Sequence, residues 1–165
     1  MDPFTILAKR LKERLTETHS NCETKIKTEG GVNYFVIVNP SGGDDIRISC
    51  TDGEGINLSF ASQGAHFGFC AENIDDNVDA LMGYINDYLC EKKVFIEFFH
   101  EETTLFCGEA YLNDLDASSG KSLLKSFVND TALYEILYKK IKGLNCRCSI
   151  RAWDAANNKD MDFVL

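Results

Sequence analysis

Apolar residues recur every three to four positions at the start of the chain, as on the buried face of a helix. Asp2 can cap this helix and Pro3 suits its first turn, so we predict a helix that ends near Thr18. The apolar stripe consists of Phe4, Leu7, Ala8, Leu11 and Leu15, and the basic residues left for the other faces are Lys9, Arg10, Lys12 and Arg14.

The segment from Cys22 to about Phe69 has the turn signals and β-prone runs of short strands. Gly30-Gly31 predicts a two-residue hairpin turn, and the Asp- and Gly-rich residues 51–55 predict another. The predicted strands are Glu23–Glu29, Val32–Val38, Ile46–Cys50, Ile56–Phe60 and Ala65–Phe69. Connections as short as these favour an antiparallel meander.

A second amphipathic helix is predicted from a cap at Asn73 to about Leu89. Asp75 and Asp76 lie in its first turn, where the helix dipole favours negative charge, and Lys92 and Lys93 lie at its other end. Its apolar stripe consists of Ile74, Val78, Leu81, Ile85, Tyr88 and Leu89.

The last third of the chain predicts two strands, a helical region and two further strands. Asp130 can restart the helical region and Gly143 can end it. The elements are strands Val94–Phe99 and Thr103–Tyr111, helical residues Lys121–Lys142 with an apolar stripe at Leu133, Ile136, Leu137 and Ile141, and strands Cys146–Trp153 and Asp160–Leu165. Because no linker rich in Pro, Gly or Ser interrupts this order, we predict one α+β domain over residues 1–165. We expect a mainly antiparallel sheet and about three helices.

Composition and cysteine usage favour a soluble, cytoplasmic protein. The chain is 44% hydrophobic, but its apolar runs are far shorter than the roughly 20 residues that span a bilayer. Met1-Asp2-Pro3-Phe4 lacks the features of a secretory signal. Seven cysteines are an odd number, so we expect reduced and mostly structural thiols. Strand alternation puts Cys146 and Cys148 on a core face, with Arg147, Ser149 and Arg151 on the other.

Motifs for catalysis or cofactor binding are weak. Gly120-Lys121-Ser122 resembles the end of a phosphate-binding loop, but Leu115 stands where that motif needs glycine. No second pair of ligands accompanies Cys146 and Cys148, so we expect no metal and no cofactor. His66 and Cys70 could form a catalytic pair only if the chain bends, because four residues of strand span about 13 Å. The segment around His66 more simply indicates an imidazole hydrogen-bonded within a turn, and the alternative is that His66 belongs to a recognition patch.

The net charge of −9 is concentrated in the middle of the chain. Residues 28–120 carry a net charge of −14, whereas residues 1–27 carry +2 and residues 121–165 carry +3. Such acidity repels a phosphate backbone and attracts a basic protein, although it can also simply maintain solubility. The aromatic residues expected to be partly exposed, and therefore available to a partner, are Tyr84, Tyr134, Tyr138 and Trp153.

The stretch Ile46–Leu89 resembles small immunity proteins of bacterial polymorphic-toxin systems. The resemblance covers about a quarter of the chain and lies in the turn Thr51-Asp52-Gly53-Glu54-Gly55, the segment Gly64-Ala65-His66-Phe67 and the acidic helix Ile74–Leu89. It implies a cytosolic protein that binds a cognate toxin and blocks it without chemistry.

We therefore expect a protein-binding domain rather than an enzyme, with a basic toxin domain as its partner and with no direct contact to nucleic acid or membrane. The expected partner-binding residues are Asp44, Asp45, Asp52, Glu54, His66, Asp75, Asp76, Asp79, Tyr84, Glu101 and Glu102. The alternatives are an enzyme with a dispersed site near His66 and Cys70, and a homodimeric structural or regulatory protein.

Overall fold

The structure is a computed structural model that describes residues 2–51, 55–61, 63–67, 74–128 and 130–164. Within these ranges the helices are α1 Pro3–Thr18, α2 Ile74–Leu89, α3 Gly120–Phe127 and α4 Thr131–Ile141. The strands are β1 Thr24–Glu29, β2 Val32–Ile37, β3 Ile46–Thr51, β4 Gly55–Phe60, β5 Gln63–Phe67, β6 Lys93–His100, β7 Thr103–Tyr111, β8 Asn145–Arg151 and β9 Lys159–Val164. The predicted α+β class with antiparallel sheets is confirmed.

The chain divides into two compact units, Met1–Leu89 and Cys90–Leu165. The first contains α1, α2 and a sheet in the order β1-β2-β3-β4-β5, and the second contains α3, α4 and a sheet in the order β7-β6-β8-β9. Neighbouring strands are antiparallel throughout both sheets. A single domain over 1–165 stays a prediction.

The sheet of the first unit is the predicted meander. Gly30 and Gly31 take φ angles of +57° and +83° in the turn between β1 and β2, which is the left-handed region that a two-residue hairpin turn requires. Phe35, Ile48 and Leu58 lie opposite one another on three successive strands and are all buried. This row of side chains forms the centre of the first core.

Helices α1 and α2 pack side by side in the first unit. Three polar contacts connect them in register: Arg10 with Asp75, Arg14 with Asp79, and His19 with Asn86. Because the residue numbers increase together on both helices, α1 and α2 run in the same direction. The predicted apolar stripe of α1 is buried at all five positions.

The sheet of the second unit packs its core face against α3 and α4. Cys146, Cys148 and Ile150 are buried in this core, as strand alternation predicts. The ring of Phe98 lies at its centre, with ring centroids 4.5 Å from Phe106 and 5.8 Å from Phe163. The cysteines are therefore packing residues.

The predicted helical region Lys121–Lys142 is two helices. Ser119 caps α3 by accepting a hydrogen bond from the Ser122 amide, and Asp130 caps α4 by accepting one from the Leu133 amide. Gly143 follows α4 with a φ of +80°, which confirms the predicted stop.

The predicted orientation of α4 is partly wrong. Leu133 and Ile136, assigned to the apolar stripe, are 48% and 63% exposed. Tyr134 and Tyr138 instead pack against the core, and their rings stack 5.8 Å apart. Of the predicted stripe, only Leu137 and Ile141 pack in the core of the second unit.

Two smaller expectations are also wrong. Trp153 is buried at 8% exposure, since a large aromatic side chain contributes more when it is removed from water. Helix α2 ends at Leu89 without a basic residue in its last turn, and Lys93 already belongs to β6.

Candidate protein-binding surface

The solvent face of α2 holds three of the predicted partner-binding residues. Asp75, Asp76 and Asp79 are exposed, and Asp75 and Asp76 lie in the first turn of the helix. Residues four apart lie one above the other on a helix, so Asp75 and Asp79 form one row and Asp76 begins the next. We call the face formed by Asp75, Asp76, Asp79, Ala80 and Gly83 the α2 surface.

Arginines of α1 hold two of these carboxylates. The Arg14 guanidinium donates to Asp79 at 2.7 Å, and Arg10 Nε lies 3.6 Å from Asp75. The side chains of Asp75 and Asp79 nevertheless remain 68% and 61% exposed to solvent. Each is therefore paired with an arginine and still exposed to a second partner.

The α2 surface has small, exposed residues at its centre. Ala80 and Gly83 are exposed, and a Cβ added to Gly83 would meet nothing within 4 Å. The described fold therefore leaves this position open to a larger side chain. Tyr84 follows at the edge of the surface, half-buried, with its ring 6.0 Å from the ring of Tyr88. Carboxylates and an aromatic edge thus surround a place where another chain can approach closely.

The other predicted acids lie elsewhere. In the loop between β2 and β3, Asp44 is exposed, whereas the half-buried Asp45 accepts a hydrogen bond of 2.9 Å from the backbone amide of Asn39. Asp45 therefore supports its own loop. Glu101 and Glu102 are exposed in the turn between β6 and β7 of the second unit.

Three predicted binding residues, and the alternative His66–Cys70 site, fall wholly or partly outside the residues that the structure describes. Asp52, Glu54 and Cys70 lie outside the described residues. His66 belongs to β5, where its backbone pairs with Asn57, and its side chain lies outside the description. The paired site of His66 and Cys70 stays a hypothesis.

Four of the described thiols have raised pKa values. Burial raises the pKa of Cys148 to about 12, and burial also raises the pKa values of Cys22 and Cys146. Partial burial and the nearby Glu97 carboxylate raise the pKa of Cys107. Since the thiolate is the nucleophile, these four cysteines are weak nucleophiles at neutral pH.

Lowered carboxyl pKa values have local structural causes. Hydrogen bonds from Thr5 lower the pKa of the helix cap Asp2, and hydrogen bonds from Ser118 lower that of Asp116. For Asp160, partial burial raises the pKa, but the hydrogen bonds from Ser149 and Arg151 outweigh it. Within the described ranges, no group of three or more His, Cys, Asp and Glu side chains is placed to hold a metal ion.

Sequence reasoning missed the role of Arg10 and Arg14. It placed both on the polar side of α1, and the signal that could have revealed their partners is the shared spacing of four. Arg10 and Arg14 match Asp75 and Asp79, so two parallel helices can pair them one turn after another.

Comparison of the chain with protein-family models, with curated proteins and with solved structures found no match. Among the helices that the structure describes, none combines the length and the apolar character needed to cross a membrane.

Proposed function

We propose that this chain is a cytoplasmic protein-binding protein that captures a basic partner domain on the α2 surface and blocks it by masking, as an immunity protein blocks its cognate toxin. The observation that carries the proposal is the combination of three exposed carboxylates with an open position at Gly83. No covalent step is involved.

The charge of the first unit supports a basic partner. Residues 1–89 carry 14 acidic and 7 basic side chains, a net charge of −7, whereas residues 90–165 carry 12 and 10, a net charge of −2. Complementary charge raises the association rate and rejects acidic competitors. The α2 surface lies in the more acidic of the two units.

The contacts with α1 support a surface that is ready to bind. Arg10 and Arg14 already hold Asp75 and Asp79, so less side-chain freedom is lost when a partner arrives. The same arginines offset part of the negative charge, which favours a mixed interface of paired charges over a purely acidic one.

The likeness to immunity proteins supports the choice of partner. The segment Ile46–Leu89 that carries this likeness folds as β3, β4, β5 and α2, all within the first unit. The proposed binding helix is therefore part of the region that resembles those proteins.

Co-expression tests the proposal directly. The proposal requires a basic toxin domain encoded next to this chain's gene, and that domain should arrest growth when it is expressed alone. Growth should recover when this chain is expressed with it, and the two should elute from gel filtration as one complex. Growth arrest that persists while this chain accumulates in folded form would contradict the proposal.

A variant of Gly83 tests the surface itself. Gly83→Trp places a large side chain in open space, so the protein should fold while rescue and complex formation are lost. The control is Glu135→Trp, at an exposed helical position in the second unit, which should rescue normally. Equal rescue by both variants would remove the α2 surface from the interface.

A further inference from the structure

A groove in the first unit lies between α1 and the edge of the sheet. Its volume is about 480 Å³, and its lining includes Ala8, Lys9, Lys12, Lys25, Ile26 and Phe35. Phe35 lies at its floor and is 3% exposed, and Ile26, paired with Phe35 across the strands, is 62% exposed. The groove therefore combines an apolar interior with lysines along its sides.

Strand β1 is at the edge of its sheet. It pairs with β2 on one side, and no strand among the described residues pairs with it on the other. The backbone amides and carbonyls along that side are in position to pair with an added strand. A β-strand that binds there would lie over the groove with every second side chain pointing into it.

The lysines of the groove differ from the arginines of the same unit. Arg10, Arg14 and Arg47 each form an ion pair with a carboxylate. Lys9, Lys12 and Lys25 form no ion pair with any described residue. In a chain with a net charge of −9, three unpaired lysines around one apolar groove are a local positive site.

We propose that this groove binds an extended acidic segment of another protein, which adds to β1 as a sixth strand. Apolar side chains at some of the groove-facing positions pack against Ile26 and Phe35. Carboxylates at the other groove-facing positions pair with Lys9 and Lys12 of α1, which selects an acidic segment over a basic one. The groove thus offers the opposite charge to the α2 surface, and its occupant is a different segment from the basic domain proposed there.

The probe for this site is a fluorescein-labelled heptapeptide, Val-Thr-Glu-Thr-Val-Thr-Glu, whose valines and glutamates share one face of the strand, added to the full chain at low salt. Fluorescence anisotropy should show saturable binding, and hydrogen exchange should show new protection of β1 amides. The same peptide with lysine in place of glutamate should bind much more weakly.

Two matched double variants locate the binding. Lys9→Gln with Lys12→Gln should weaken peptide binding roughly five- to tenfold, which is the effect of losing two exposed ion pairs. Lys139→Gln with Lys140→Gln removes the same charge from exposed positions on α4 and should change the affinity less than about twofold.

Several results would overturn the proposal: equal weakening by the two double variants, protection confined to residues outside β1, or equally tight binding of the lysine peptide. Sedimentation of the peptide-free chain provides a further test. A concentration-dependent dimer in which β1 amides are already protected would assign the edge to a second copy of this chain instead.

Discussion

Arg14 on α1 donates a 2.7 Å hydrogen bond to Asp79 on α2, and Arg10 and Asp75 repeat the pairing one helical turn earlier. The repeat fixes α1 and α2 in a parallel register. It also means that two of the acids proposed to meet a partner already have a role within the fold, so their effects on stability and on binding must be measured separately.

We expect the Arg14–Asp79 pair to contribute little to stability. The two side chains are 49% and 61% exposed, and pairs this exposed contribute about 0.2–1 kcal/mol. A double-mutant cycle with Arg14→Ala and Asp79→Ala, followed by urea denaturation, should give a coupling energy in that range at low salt. The coupling should nearly vanish in 1 M salt. A coupling of about 3 kcal/mol would instead indicate a buried pair.

Gly120→Ala should destabilise the second unit. A Cβ at Gly120, at the start of α3, would overlap the ring of Phe163, so the ring or the helix must move. Overpacking of this kind costs about 1–3 kcal/mol in the free energy of unfolding. Chemical denaturation, followed by a probe in the second unit, measures the change.

Gly83→Ala is the matched control for that substitution. Gly83 is also helical, but an added Cβ meets nothing within 4 Å, so the higher helix propensity of alanine should stabilise the protein by about 1 kcal/mol. If Gly120→Ala stabilises the protein as Gly83→Ala does, the close approach of Phe163 to Gly120 is wrong.

Glu101→Gly should stabilise the protein. Glu101 has a φ of +54° in the turn between β6 and β7, a conformation that glycine adopts with less strain. The expected gain is about 1 kcal/mol by thermal or urea denaturation.

Glu91→Gly should not show this gain, although Glu91 also has a φ of +54°. Its carboxylate accepts hydrogen bonds of 2.8 Å from the Asp154 amide and 2.7 Å from the Asn157 side chain. Losing these contacts offsets the relief of strain. A similar gain at both positions would show that the Glu91 contacts contribute nothing.

The described cysteines should differ in reactivity toward a thiol reagent. Cys90 and Cys107 are exposed and should be modified in the folded protein, with Cys107 slower because its pKa is raised by partial burial and by Glu97. Cys146 and Cys148 are buried and should react only on unfolding. Mass spectrometry after timed labelling identifies the order, and early modification of Cys148 would contradict its burial.

The thiol of Cys148 also predicts a pH dependence of stability. Its pKa is about 12 in the folded protein against 9.0 for an ordinary thiol, so between these values the unfolded chain releases a proton that the folded chain keeps. The free energy of unfolding should therefore fall as pH rises above about 9, by up to about 1.4 kcal/mol per pH unit from this group. Cys148→Ala should reduce that slope; an unchanged slope would assign it to other groups.

Much of the fold could be predicted because local signals and burial agree. The Gly30-Gly31 turn, the Asp130 cap and the alternation of Cys146 and Cys148 each depend on neighbouring residues alone. The orientation of α4 could not be predicted in the same way. Both Leu133–Ile136 and Tyr134–Tyr138 have helical spacing, and only the packing of the sheet decides which pair faces inward.

The sequence predicts which types of residue the candidate site contains, but it does not predict which of them share one surface. Acidic residues in the first turn of α2 follow from the sequence, whereas their pairing with Arg10 and Arg14 depends on a contact about 65 positions away. The position of Asp45 likewise depends on the geometry of its own loop, and that of Glu101 depends on its lying in the second unit. Composition and residue spacing indicate neither.

The association rate with the proposed basic partner domain tests the central claim most directly. The variant Asp75→Asn, Asp76→Asn, Asp79→Asn removes three charges from the α2 surface. The control Glu17→Gln, Asp114→Asn, Glu135→Gln removes three charges from other exposed positions. Stopped-flow measurements at low salt should show association slowed roughly tenfold by the α2 variant and much less by the control, with the difference lost in 1 M salt. Equal association rates for the two variants at low salt would contradict the proposed role of the α2 surface.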